Sequence, residues 1–328
     1  MSSIMTNSAA LTALQSLNAT NKSLTDTQAR ISTGYKVSQA SDNAAYWSIA
    51  TTMRSDNQAM STVSDALGLG ASKVDTAYTG MSSAIDTINQ IKTKLVASYG
   101  QTDASKEKTQ VEIAALQNQL KAYADGATFS GTNMLSVSTA TGTAADVKIV
   151  SAFNRDATGA ASISTIDVNV ESIKLYDAGA APTAKGILDT ARLGTTGAAV
   201  ATASNPTLGA AAAATDTYSV ASLTIFSGGT AASDSQIAQQ MNVVDAALKA
   251  MTNAATTLGA AKSSIDLQKT FTSNLMDSID RGVGQLVDAD MNKESTRLQA
   301  LQVQQQLGIQ ALSIANGSSQ SILSLFRG

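Results

Sequence analysis

The sequence contains no cysteine and no histidine. Without cysteine there is no disulfide, no thiol nucleophile and no thiolate metal site. Without histidine, the usual general base near neutral pH and the commonest metal ligand are both missing. Charged residues make up 14% and aromatics 4%, beside 43% hydrophobic residues, whereas the usual charged share is roughly a quarter. A surface this neutral, rich in Ser, Thr, Asn, Gln and Ala, suits one that copies of the same chain will cover. The net charge of −3 gives no electrostatic reason to expect nucleic acid or an anionic membrane as a partner. No run of 18 apolar residues occurs, so no membrane insertion is expected. The opening Met1–Ser8 has neither a basic region nor an apolar core, so no cleaved secretory signal is expected. Prolines number only 2, Pro182 and Pro206, and both fall in one region, leaving long stretches on either side without a helix breaker.

What the sequence does have is periodicity. From Ile49, steps of alternately four and three residues meet Met53, Asp56, Met60, Val63, Leu67, Gly70, Val74, Ala77, Met81, Ala84, Ile88, Ile91 and Leu95. Only Asp56 and Gly70 break the apolar rule, and the mean step is that of a coiled-coil seam. Such a helix would run roughly 70 Å, and it needs partners to bury its stripe. The matching seam starts at Ile237 and meets Met241, Val244, Leu248, Met251, Ala255, Leu258, Ile265, Met276, Ile279, Val283 and Leu286, interrupted by Lys262, Lys269 and Thr272. The reading is mainly α, with long antiparallel coiled-coil rods formed by the two chain ends. At 328 residues the chain has room for two or three compact units.

Outside the rods lie two more helical segments. The first carries Ala10, Leu14, Leu17, Asn21, Leu24, Gln28 and Ile31; a polar Asn in a seam costs stability and fixes register. Gly34 reads as its stop, and Ser41 or Asp42 as the N-cap of the long rod. The last segment, 298–328, includes Leu301, Leu307, Leu312, Ile314, Ile322, Leu325 and Phe326, with uncharged glutamines on every face. A helix with no distinct polar face has to be buried on all sides, and at a chain end that burial comes from other subunits. The expected subunit–subunit contacts are therefore Leu14, Leu17, Leu24, Ile31, Trp47, Leu301, Leu307, Leu312, Ile314, Ile322, Leu325 and Phe326, with Trp47 as an aromatic anchor.

Between the rods, Asp103 reads as the cap of a helix with Ile113, Leu116, Leu120 and Tyr123 on one face, ending at Asp125-Gly126. Phe129–Leu135 reads as a turn. The alternating stretches 147–150 and 163–170 read as a β-hairpin. Residues 177–233 are dominated by Ala, Gly and Thr and read as a small, loosely specified β-rich insert, with Val220–Phe226 as one strand. The expected division is 1–42 with 288–328, 43–176 with 234–287, and the insert 177–233.

Candidate chemistry is thin. Asp288 and Asp290 sit two apart and do not share a helix face, so they read as a solvated break. Gly68-Leu69-Gly70 lacks the lysine and hydroxyl of a phosphate loop. Met53, Met60 and Met81 lie on the seam as core. No catalytic, cofactor or metal site is expected, and the insert has too little chemistry for a secreted enzyme.

The stretches Ala29–Gly34, Asp42–Ala45 and Ile49-Ala50, with Gln304–Leu307, Ile314–Asn316 and Ile322–Arg327, resemble both ends of bacterial flagellin; the details are most similar to flagellins of rhizobium-type soil bacteria. The turn Phe129–Leu135 resembles the one before the flagellin hairpin. The resemblance covers about 1–176 and 234–328. It implies a structural subunit that self-assembles into the helical filament used for swimming, with a hook–filament junction protein as the alternative. It implies that 1–42 and 288–328 line the central channel, that 43–176 with 234–287 form the outer tube, and that the insert faces solvent. Implied partners are the chain itself, other flagellins, an export chaperone, a filament cap and hook-junction proteins. Implied export is unfolded, through the flagellar type III channel, to an extracellular filament. The linker departs from the family: Ser41-Asp42-Asn43 stands where an acidic pair is common, and Tyr46-Trp47 where residues are small or polar. Asn89–Leu95 lacks the arginine pair and glutamate usual in the family's immune-recognition stretch.

Overall fold

A computed structural model describes residues 7–138, 144–156, 158–177, 185–201 and 206–325, with side chains to residue 317. The helices are α1 (Ser8–Thr33), α2 (Ala44–Ser98), α3 (Asp103–Gly126), α4 (Asp234–Val287) and α5 (Met291–Leu325). Short strands β1 (Thr128–Phe129), β2 (Thr132–Asn133) and β3 (Ser136–Val137) follow α3. The longer β4 (Val147–Arg155) and β5 (Ala161–Val168) form the expected hairpin, with a register shift between Val150 and Ala152. β6 (Tyr176–Asp177) pairs in parallel with β3. The insert holds β7 (Ala191–Leu193), flanked by β8 (Ala199–Val200) and β9 (Thr217–Tyr218), and the tight pair β10 (Phe226–Ser227) and β11 (Thr230–Ala231). The chain divides into two compact units, residues 1–58 with 275–328 and residues 59–274.

In the unit 59–274 the seam read from the sequence is the core. Leu67, Val74, Met81, Ala84, Ile88, Ile91 and Leu95 of α2 are fully enclosed. They pack in one cluster with Ile113 and Leu120 of α3 and with Ile237, Val244, Met251, Leu258 and Ile265 of α4. Gly70, which interrupts the stripe, has a physical reason to be glycine: an added Cβ would run into the Ile149 side chain of β4. A Cβ at Gly80 would lie 2.9 Å from Ala127 Cβ and from Leu135 Cδ1. These two glycines are notches in α2, one for the hairpin and one for the turn after α3.

Polar pairs fix the register of α2 against α4. Lys262 of α4 bonds Asp75 of α2, and Lys92 Nζ lies 2.6 Å from Asp245 Oδ1. In the other unit Asn57 Nδ2 donates to Asp280. The two pairs within the unit 59–274 are about five turns apart on both helices, so they recur on one side of the pair. Lys262 thus interrupts the apolar seam because it is a rung of this ladder.

Beneath the hairpin, Lys174 is fully buried, with Nζ 2.7 Å from Asp177 Oδ2 and 2.9 Å from Glu171 Oε2. Burial opposes its charge, but the bonds to Asp177 and Glu171 outweigh it and hold its pKa above the ordinary lysine value.

Three local expectations are corrected. The cap of α2 is Asn43, whose Oδ1 accepts the Tyr46 N–H at 3.1 Å. Asp42 folds back instead, accepting from Ser38 N and Gln39 N. Asp103 is the first residue of α3, preceded by Thr102 at the N-cap position; as a first-turn acid it still favours the helix N-terminus. The stretch 220–225 is not a strand: Val220, Leu223 and Ile225 are buried from irregular backbone, and only Phe226 enters a strand, the two-residue β10. Alternation here reflected burial alone, without a neighbouring strand to complete a ladder.

Candidate functional site: the terminal helix pair

In the unit formed by both chain ends, α1 packs antiparallel along α5. α1 starts on Asn7, whose Oδ1 accepts from Ala10 N at 3.1 Å, and stops at Gly34 in the left-handed conformation with φ of 76°. α5 starts where Asp290 Oδ1 accepts from Asn292 N at 3.0 Å, so Asp290 is a cap. Tyr35 and Asp288 form an antiparallel bridge, and Val287 O accepts Lys36 N at 2.7 Å. The chain therefore crosses from α1 to α2 beside the crossing from α4 to α5. A small core of Val37, Ala50, Val283 and Val287 lies under this crossing.

The seam between α1 and α5 is not the one with the most apolar residues. On α1 the inward positions are Ala13, Leu17, Thr20, Leu24, Thr27 and Ile31, with Thr20 and Thr27 the most buried. On α5 they are Glu294, Leu298, Leu301, Gln305, Gly308, Leu312 and Ala315. Both follow four–three steps. Small and polar residues at the centre let the helices approach closely; a Cβ on Gly308 would come within 3.1 Å of Leu17 Cδ1. Three polar contacts set the register. Gln305 Nε2 donates to Asn21 Oδ1 at 2.7 Å, Arg30 Nη1 lies 3.5 Å from Glu294 Oε1, and Asn7 Nδ2 donates to Ala315 O at 2.9 Å. Asn21 has the register role that an Asn in a seam suggests.

The residues expected at subunit contacts separate into two groups. Leu17, Leu24, Ile31, Leu301 and Leu312 are half-buried between α1 and α5. Leu14, Leu307 and Ile314 face outward, Leu307 with 58% and Ile314 with 73% of their surface exposed. Trp47 is 39% exposed at the start of α2, beside exposed Tyr46 and Ile49. The side chains of Ile322 and Leu325, and all of Phe326, lie outside the described residues. Sequence reasoning missed Leu11, Val303 and Ile309, which are also outward-facing and more than half exposed. Their signal was present: between Arg297 and Arg327 there is no charged residue.

Among the described residues no cluster of three or more acidic side chains is placed to hold a metal. Among the same residues no helix is long and apolar enough to cross a membrane. What the site offers is surface. Each outward leucine or isoleucine transferred from water is worth about 1.5–3 kcal/mol, and no charge between Arg297 and Arg327 opposes the transfer.

Paired terminal helices that expose apolar side chains, with no charge on α5 after Arg297, define a self-assembling structural protein. Comparison with known proteins gives the class its family. Residues 4–162 match the model of the bacterial flagellin N-terminal helical region, and residues 241–326 match that of the C-terminal helical region. Over the whole length of both chains, the sequence is 49% identical to flagellin C of Rhizobium meliloti (strain 1021) and 47% identical to a flagellin of Brucella melitensis biotype 1. It is 49% identical to flagellin B of the same Rhizobium strain, again with both chains covered throughout, over an alignment of 400 residues. The chain belongs to the bacterial flagellin family. It is a structural subunit of the flagellar filament, and the matches give no support to the hook–filament junction alternative.

Proposed function

We propose that α1 and α5 assemble the filament through their outward faces, with Leu14, Leu307, Ile314, Ile322, Leu325 and Phe326 buried by neighbouring copies. In this reading Leu17, Leu24, Ile31, Leu301 and Leu312 set the shape of each α1–α5 pair. Residues 1–42 and 288–328 line the channel, 43–176 with 234–287 form the outer tube, and 177–233 face solvent. Trp47 anchors a neighbour at the base of α2. The observation that carries this reading is the outward exposure of Leu307, Ile309 and Ile314 on the part of α5 after Arg297, which carries no charge. Finer partners follow from the family: an export chaperone, a distal cap, hook-junction proteins and other flagellins. Export is unfolded, through the flagellar type III channel. The role asks for no catalysis, cofactor or metal.

The test is Leu307→Asp and Ile314→Asp in the full chain. A charge driven into a buried apolar contact costs several kcal/mol, so seeded polymerisation should fail while the circular dichroism of the monomer is unchanged. Filaments formed at normal yield would contradict the assignment of these faces.

A further inference from the structure

The insert is rich in Ala, Gly and Thr, yet its backbone follows a defined path along α3 and α4. Its own regular structure is slight: β8, β9, β10 and β11 have two residues each, and β7 has three. Strand pairs this short are not stable alone in water. Besides its own turns and its buried Leu188, Tyr218, Val220, Leu223 and Ile225, the backbone is held by a set of amide side chains outside the insert. Gln236 donates from Nε2 to Thr207 O at 2.9 Å, and its Oε1 accepts Gly209 N at 3.1 Å and Ser233 N at 3.0 Å. Gln239 donates to Ala213 O at 2.8 Å and accepts the Tyr218 hydroxyl at 3.2 Å. Gln240 donates to Thr224 O at 3.0 Å. Asn242 donates to Gly194 O at 3.1 Å. From α3, Gln117 donates to Val220 O at 2.8 Å and Leu223 O at 3.0 Å, and Gln110 accepts Ile225 N at 2.6 Å.

Gln236 and Gln240 are fully buried, and Gln239 nearly so. They lie three and four residues apart, so they project from one face of the first turns of α4. Buried amides are costly unless satisfied, and the insert supplies bonds to all three, although Gln240 Oε1 is buried without a hydrogen-bond partner. The reverse also holds. At the buried Gly194, Val220, Leu223 and Ile225 the insert's backbone groups would lose their partners without Asn242, Gln117 and Gln110, at a cost of about 1–3 kcal/mol each, whereas Thr207, Gly209 and Ala213, which Gln236 and Gln239 bond, lie at exposed positions.

From this we infer that the insert is a conditional fold, templated by the amides of α4: residues 185–201 and 206–233 hold their path only once residues 236–242 have docked. The amides bond mainly backbone groups, so the template tolerates changes in insert side chains but not changes in its own.

The experiment is amide exchange on the full chain with Gln236→Met and Gln239→Met together, which keep helix propensity and approximate volume. The reporters are the N–H groups of Leu193, Gly197 and Ala221, which bond within the insert and not to these amides. They should exchange at least tenfold faster, with Ile88 and Ile91 of α2 unchanged. Unchanged reporters would overturn the inference, since the insert would then hold itself. Should α2 also exchange faster in the double variant, Gln239→Met alone decides. Faster reporters beside unmoved Ile88 support templating. Reporters that move together with Ile88, or not at all, overturn it.

Discussion

Two helix pairs in this chain follow the same four–three spacing and reach different ends. In the unit 59–274 the α2 seam places Leu67, Val74, Met81, Ile88, Ile91 and Leu95 in full burial, because α3 and α4 close over it. In the unit of the chain ends the α1–α5 seam runs through Thr20, Thr27, Glu294, Gln305 and Gly308, and its larger apolar residues are half-buried or face outward. On the function proposed above, seam composition separates a helix pair finished within one chain from a pair left for other chains to finish. A seam of Leu, Ile, Met and Val closes itself. A seam of small and polar residues keeps two helices close and in register while their leucines stay available outside.

The largest expected effect falls on the self-sufficient unit. Lys174→Met would leave Asp177 buried without its cation, and breaking one partner of a buried pair costs about 3–5 kcal/mol. Guanidinium melting of the monomer measures this. A loss below about 1 kcal/mol would show that the cluster is open to water. Because the Lys174 pKa is raised, its contribution is fully present below the ordinary lysine value and is lost only as pH rises through the folded one. Acidification to pH 6 therefore does not mimic the substitution.

Next in size is a matched pair of truncations. Ile88→Ala removes a fully enclosed side chain and should cost about 2–5 kcal/mol of monomer stability. Leu24→Ala, on the half-buried α1 seam, should cost under about 1.5 kcal/mol by the same melting curve. Equal losses would erase the distinction between the two pairs.

The smallest effect is on the linker of the chain-end unit. Hydrogen bonds from the Ser38 and Gln39 backbone hold the exposed Asp42 carboxylate below its ordinary pKa. A depressed folded pKa gives stability that is present above the ordinary aspartate value and lost as pH falls through the folded one. Amide exchange at Ser38 and Gln39 should therefore accelerate below pH 4, beyond the intrinsic pH dependence. Asp42→Asn should remove that extra acid response. The same pH dependence in Asp42→Asn would assign the effect elsewhere.

Much of this was legible in the residues. The α2 seam, the stop at Gly34, the extent of α3 and the hairpin follow from period, glycine and capping chemistry. The α1 seam was not, because the eye follows Leu14 and Asn21 while the structure turns Thr20 and Thr27 inward. Helix approach distance decides that choice, and it depends on the partner's Gly308 as well as on α1 itself. Gly70 read as a fault in the stripe because the residue that needs the space, Ile149, is far away in sequence. The insert was illegible for a similar reason: its path is written in Gln236, Gln239 and Gln117 rather than in its own alanines.

The central claim is that the α1–α5 pair is completed by other copies, whereas the α2 core is not. Amide exchange on depolymerised monomer and on reassembled filament measures both at once. In the monomer, residues 8–33 and 291–317 should exchange at least a hundredfold faster than Ile88, Ile91 and Leu95, since a helix pair with a weak seam opens readily. In the filament that gap should close, with the α2 residues unmoved. Terminal helices as protected in the monomer as α2, or unprotected in the filament, would contradict the account.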